Sequence, residues 1–114
     1  MLVRNVTKNT ILAENTARAT TSKQRKTGLL KHERLPKGEG LWIAPCEAVH
    51  SFWMKFPIDV LYLNKKKKVL KIRHHMAPWR LSACLRAHSV LELPAGMAAE
   101  TQTQPGDELE FRSD

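Results

Sequence analysis

Proline placement bounds what this chain can build. Pro36, Pro45, Pro57, Pro78, Pro94 and Pro105 fall between its apolar runs or at their ends. A proline has no amide hydrogen and a fixed φ, so it ends a strand or helix more readily than it continues one. The regular elements must therefore be short. Leu41–Ala44 reads as a brief buried strand stopped by Pro45, and the aromatic run His50–Phe56 as an extended segment stopped by Pro57. Ile58–Leu63 is a strong strand, Asn64–Lys67 a hairpin turn, and Lys68–His75 its antiparallel return. Residues 79–86 look irregular. His88–Leu93 is another strong strand, Pro94–Glu100 opens a helical turn, Pro105-Gly106 suits a type II turn, and Asp107–Arg112 closes as a strand.

Ahead of the first proline, Leu2–Val6 alternates as a strand, and residues 10–18 return as a second strand after a turn at Lys8-Asn9. Thr20, Thr21 and Ser22 are helix N-cap candidates, and the spacing predicts a helix over about 22–32. Gly28 weakens that helix. Its apolar face is little more than Leu29 and Leu30, so it should lie on the surface with only its last turn docked. The elements together predict an α+β, mostly β domain spanning residues 1–114: a small β-barrel or strongly curved antiparallel or mixed sheet with one surface helix.

A chain of 114 residues can bury roughly two-thirds of the surface its unfolded form exposes, enough for one core without metal or disulfide. No apolar run approaches the ~20 residues of a membrane helix, and Met1–Val6 has no signal-peptide character. The expectation is a cytoplasmic protein, not a membrane one, in which Cys46 and Cys84 are free buried thiols.

Several segments, taken together, resemble a known family. They are Arg25-Lys26-Thr27-Gly28-Leu29-Leu30, the run His50–Leu63, Val90-Leu91-Glu92-Leu93-Pro94-Ala95-Gly96, and Gly106-Asp107. In that order they resemble the domain-of-unknown-function-192 family. The resemblance implies a small barrel-like β fold and no established activity. It also marks a departure: relatives tend to carry an acidic residue and a glycine in the hairpin turn, where this chain has Asn64-Lys65-Lys66-Lys67.

The charge is polarised. Residues 1–80 carry 17 Lys/Arg against 5 Asp/Glu, and residues 81–114 carry 2 against 6, which sums to the net +8. Such a split points to nucleic acid or another polyanion as the partner class. Two basic patches carry it: Lys23, Arg25 and Lys26 on the helix, with Lys31, Arg34 and Lys37 beyond them, and Lys65, Lys66, Lys67 and Lys68 at the hairpin. A basic turn also keeps a hairpin soluble. Neither a ribonucleoprotein nor a helix-turn-helix signature appears.

Other chemistry is open to these residue types. Cys46, His50, Met54, His74, His75 and Met76 are all ligand types. In a strand, however, His50 and Met54 lie about 13 Å apart, and His74 and His75 point to opposite faces. No metal and no cofactor are expected. Nucleophilic catalysis by Cys46 with His50 lacks a neighbour to lower the thiol pKa. Asp59 shares a strand face with Leu61 and Leu63, and Glu92 stands similarly beside Val90. A carboxylate on an apolar face must be hydrogen-bonded. Asp59 and Glu92 either flank a pocket with His50 and Trp53, or cap backbone amides where the chain turns into the helix after Pro94. Trp42, Phe52, Trp53, Met54 and Trp79 suffice to line a pocket, though in a domain this small they read first as core. The leading expectation is a non-enzymatic binding or accessory domain with affinity for a polyanion. The alternative is an enzyme or small-ligand-binding protein with Asp59, Glu92 and His50 in its pocket.

Overall fold

The computed structural model describes residues 1–113. The elements run β1 (Leu2–Asn5), β2 (Thr10–Ala13), β3 (Asn15–Ala19), α1 (Ser22–Thr27), β4 (Glu39–Ile43), β5 (Ala48–His50), β6 (Ile58–Leu63), β7 (Val69–Met76), β8 (Leu81–Ala83), β9 (Ser89–Pro94), α2 (Met97–Glu100) and β10 (Leu109–Arg112). Five strands form a mixed sheet in the order β3-β4-β9-β6-β7, in which only the β3–β4 pair is parallel. A second sheet, β10-β1-β2, and a two-stranded ribbon, β5-β8, complete the fold. The protein is α+β and mostly β, as the short alternating runs predict.

Among the described residues no sheet closes, so the barrel half of that expectation gives way to an open mixed sheet. The edges of the five-stranded sheet hand over to the second sheet instead of to each other. Along β3, Thr16 exchanges backbone hydrogen bonds with Met1, and at the start of β7 Val69 does so with Gly106 and Asp107.

β6 is buried on both sides along its whole length. Its period-two alternation therefore divides the interior in two. Leu61 and Leu63, with Leu91 and Leu93 of β9, pack toward the β10-β1-β2 sheet against Val3, Leu12, Met97 and Leu109. Ile58, Val60 and Tyr62, with Val90, pack the other way, against Ile43, Leu29, Met54 and Met76. Tyr62 also donates to Ser82 Oγ at 2.9 Å, tying the central sheet to the β5-β8 ribbon.

Four local expectations are corrected. Residues 10–18 are not one strand: the chain breaks at Glu14, and β3 leaves for the other sheet, where it pairs with β4. The helix runs 22–27 rather than 22–32, ending where Gly28 takes φ +47. Its start is as the threonines suggest, with Thr21 and Gln24 forming a reciprocal capping box. No residue of α1 is buried; Leu29, just beyond it, is the anchor. The aromatic run is extended only through His50, and residues 51–54 turn sharply. Residues 81–83, read as irregular, form β8, because β5 offers them a partner that no local signal announces.

Candidate functional site

Asp59 and Glu92 sit on adjacent central strands but on opposite faces. Opposed residues of an antiparallel pair share a face. In the β6–β9 register Asp59 opposes Leu93, and Val60 opposes Glu92. Asp59 therefore points toward the second sheet, and Glu92 toward α1. A pocket containing both, with His50, does not form.

Asp59 is fully buried, and its carboxylate is fully engaged. Oδ1 accepts from the His75 amide at 2.9 Å, and Oδ2 accepts from the amides of Gly96 (3.1 Å) and Ala98 (2.9 Å). It caps the first turn of α2 and pins β7 to it. Of the two roles open from sequence, Asp59 takes the capping one.

Glu92 has a contrasting environment. It is 4% exposed, and no side-chain hydrogen bond reaches it among the described residues. Burial pushes its carboxyl up to about 7. It lies in the wall of a cleft of about 560 Å³ between α1 and the central sheet. Leu29, Leu30, Ile43, Val49 and Met54 supply the apolar lining, and Arg25, Lys26, Glu47 and His50 stand around it. His50 and Met54 share this cleft because the chain turns between them, so the strand-based separation of about 13 Å does not apply. Among the described residues no three His, Cys, Asp or Glu side chains gather as a metal-holding group. Cys46 is also here, its thiol pushed up by burial, so it is not primed as a nucleophile. Both cysteines are free and half-buried.

A second, more open cleft of about 830 Å³ lies across the segment Pro45-Cys46-Glu47, which lines both. Its other residues are Asn64, Lys65, Lys66, Arg86, Ala87 and His88. Asn64 shapes the lysine turn: its Oδ1 accepts from the Lys66 and Lys68 amides, both at 2.9 Å. Beyond that turn the lysines part company. Lys67 lies over the Trp42 and Phe111 rings, 5.0 and 5.5 Å from their centroids, and Lys68 bridges to Glu108 in the backbone ladder. On the helix, Lys23 turns away, lining a shallow hollow with Arg18 and Lys31. Arg25 reaches across to the Pro45 carbonyl at 3.2 Å, bracing the wall between the clefts.

Beside His50 stands an aromatic cluster. His50 stacks on Phe52 with ring centroids 5.0 Å apart, Phe52 stacks on Trp79 at 5.9 Å, and Trp79 meets Trp53 edge-on at 4.6 Å. Trp53 is 72% exposed and Trp79 51%, so the expectation that both are core does not hold. The cause is local. Ser51 is fully buried and staples two turns together. Its Oγ donates to the Ala77 carbonyl (2.6 Å) and accepts from the Arg80 amide (2.9 Å), and its carbonyl accepts from the Met54 and Trp79 amides. Trp53 and Trp79 are thereby held at φ +70 and +68 with their rings in solvent. Bulky residues in the left-handed region are strained, and such strain concentrates at functional surfaces.

A family model described as DUF192, Uncharacterized ACR, matches residues 3–111. The chain belongs to the DUF192 family. A UPF0127 protein of Pyrococcus furiosus is 31% identical over 84 residues, covering 68% of this chain and 72% of that protein. Among solved structures, a protein of unknown function from Novosphingobium aromaticivorans DSM 12444 superposes with a TM-score of 0.83 at 22% identity, covering 97% of this chain and 84% of its own. A Sinorhizobium meliloti 1021 protein, provisionally named a transcription regulator, also reaches 0.83, at 20% identity over 96% and 89%. These likenesses establish the fold. No helix of this DUF192 member, among the described residues, is long and apolar enough to cross a membrane.

Sequence reasoning overlooks Arg86 and His88 of this DUF192 chain. Both stand just before β9, in and after a stretch with no regular pattern. His88 Nδ1 is buried without a hydrogen-bond partner. The local signal is slight: Arg86 is one of two arginines in the otherwise acidic residues 81–114.

Proposed function

We propose that this protein is a binding module for single-stranded nucleic acid, engaged along a basic path that crosses both clefts. The observation that carries this reading is the shared wall at Pro45–Glu47. It has Arg25 and Lys26 on one side and Lys65, Lys66 and Arg86 on the other, so two basic segments about forty residues apart in sequence line one continuous surface. The adjoining ladder of His50, Phe52, Trp79 and Trp53 supports a single strand over a duplex. Exposed rings beside a basic groove stack unpaired bases, whereas α1, at six residues with no side chain docked in the core, offers no rigid recognition helix. Lys23, Lys67 and Lys68 are left out of the path.

Fluorescence anisotropy with a labelled single-stranded oligonucleotide across a salt series is the test. The expected result is binding at low salt whose log K falls linearly with log salt, at about 0.7 per phosphate contact. The variant Lys26→Ala/Lys65→Ala/Lys66→Ala should flatten that slope. Absence of binding at low salt, or a slope unchanged in the variant, overturns the reading.

A further inference from the structure

We propose that the cleft beneath α1 is a nucleotide site, in which the side chain of Glu92 hydrogen-bonds the polar edge of one base. The inference rests on the single-strand reading in that this cleft is half of the basic path, and it adds what the cleft holds.

Three features converge on that ligand class. The first is the carboxyl itself. Buried polar side chains are almost always paired, because an unpaired one forfeits its water without compensation. Asp59, on the next strand, follows that rule with three amides. Glu92 accepts no side-chain hydrogen bond among the described residues, and its oxygens are not sealed from solvent. It lies in the wall of an accessible cleft, where a ligand would take the place of water. A ligand bearing N–H groups supplies what the fold withholds.

The second is the lining. Leu29, Leu30, Ile43, Val49 and Met54 are apolar and crowd the same cleft. They suit a ligand with an apolar body and one hydrogen-bonding edge, which describes a nucleobase. A volume of about 560 Å³ admits a base with its sugar.

The third is the sign of the surrounding charge. Apart from Glu92 itself, Arg25 and Lys26 outnumber Glu47 in the lining. That field opposes entry of a free cation or an alkylamine, the other obvious partners of a carboxylate, and favours a ligand carrying phosphate at its outer end. A metal ion is further disfavoured because no three His, Cys, Asp or Glu side chains gather as a metal-holding group among the described residues. The ring nitrogen donors and amines of a base meet Glu92, while the phosphate meets Arg25 and Lys26.

The experiment titrates AMP, CMP, GMP and UMP, with ribose 5-phosphate as the base-free control, into the ¹⁵N-labelled full chain at low salt. Amide shifts are followed at Leu29, Cys46, Val49 and Glu92. At least one nucleotide should bind and shift these amides, with ribose 5-phosphate at least tenfold weaker. Glu92→Leu, which fills similar space without hydrogen bonding, should weaken the best nucleotide about tenfold while leaving ribose 5-phosphate unchanged. Glu92→Gln, the more conservative replacement, should retain binding with an altered order among the four bases. Equal affinity for ribose 5-phosphate and the nucleotides overturns the inference, as does an unchanged nucleotide affinity in Glu92→Leu. If oligonucleotides bind with the expected salt slope but no nucleotide shifts the cleft amides, the base site falls and the single-strand reading stands. If neither binds, both fall.

Discussion

Two buried carboxyl groups lie one register position apart on neighbouring strands, and they have opposite environments. Asp59 faces the β10-β1-β2 sheet and receives three backbone amides; Glu92 faces α1 and receives no side-chain hydrogen bond. The same contrast extends to the two sides of the central sheet. On the Asp59 side a polar network is paired deep in the packing, with Asn5 donating to Asp107 and Thr103 and Lys8 binding Asp107 at 2.9 Å, although Trp42 Nε1 and Ser89 Oγ on that side have no partner among the described residues. Burial alone would raise the Asp107 carboxyl, but those hydrogen bonds from Asn5 and Lys8 outweigh it and hold the group below the usual range. The Glu92 side has clefts, strained tryptophans and the unpaired His88 nitrogen. One side of the sheet is scaffold. The other carries the two clefts and the exposed aromatic rings.

The largest expected effect breaks the closed side. Asp59→Ala leaves the amides of His75, Gly96 and Ala98 without an acceptor, and at ~1–3 kcal/mol for each buried donor the loss should approach about 4 kcal/mol in urea unfolding. A loss under about 1 kcal/mol would erase the distinction between the two carboxyls. Glu92 should contribute with the opposite sign. Its folded pKa of about 7 exceeds the ordinary value of 4.5, so the folded state holds a proton that the unfolded state has released. Stability from this group is therefore fullest below pH 4.5, declines through the window up to about 7, and is flat above it. The total is roughly 3 kcal/mol at about 1.4 per pH unit. Glu92→Gln should abolish that decline and be the more stable protein at pH 8; an unchanged pH profile would show that Glu92 is paired after all.

Smaller effects sharpen the contrast. Trp53→Gly suits φ +70 better than tryptophan does, so its unfolding midpoint should hold or rise by an amount worth up to about 1 kcal/mol. Oligonucleotide affinity should meanwhile fall by about 1–3 kcal/mol, the scale of one stacked base. Smallest is the split within the lysine turn. Lys67→Ala should cost stability about 0.5–1 kcal/mol by losing the Trp42 and Phe111 faces, with the salt slope unchanged. Lys65→Ala/Lys66→Ala should do the reverse, lowering the slope by about 1.4 with no loss in thermal midpoint.

How much of this was legible follows from how local each cause is. The β6 and β9 strands, the Asn64 turn and the α1 cap announce themselves through apolar runs, a polar break between two strand-like segments and a cluster of hydroxyl residues ahead of the helix. For Asp59, a carboxylate on an apolar strand face in a chain that later turns into a helix, the sequence leaves both the pocket and the capping role open, and only the structure shows the three amides. Glu92 has the same sequence signature, and its isolation is set by what α1 and the β5-β8 ribbon bring over it. β8 itself is three residues long and is defined only by its partner. The exposure of Trp53 and Trp79 depends on Ser51, a buried serine whose hydrogen bonds reach residues 26 and 29 positions away. Composition assigns tryptophan to a core, and only the stapled turns reverse it.

β7 ends the five-stranded sheet on one side, and its exposed side chains include Lys71, His74 and His75, with Arg73 half-buried. Two register shifts interrupt its pairing with β6. An irregular margin that carries Lys71 and Arg73 resists strand addition by a second copy, the first step toward aggregation. That guard is electrostatic, so it weakens wherever counter-charge accumulates. A polymer of phosphates is such a counter-charge, and the affinity proposed here would therefore favour clustering at charge balance and dispersal when either component is in excess.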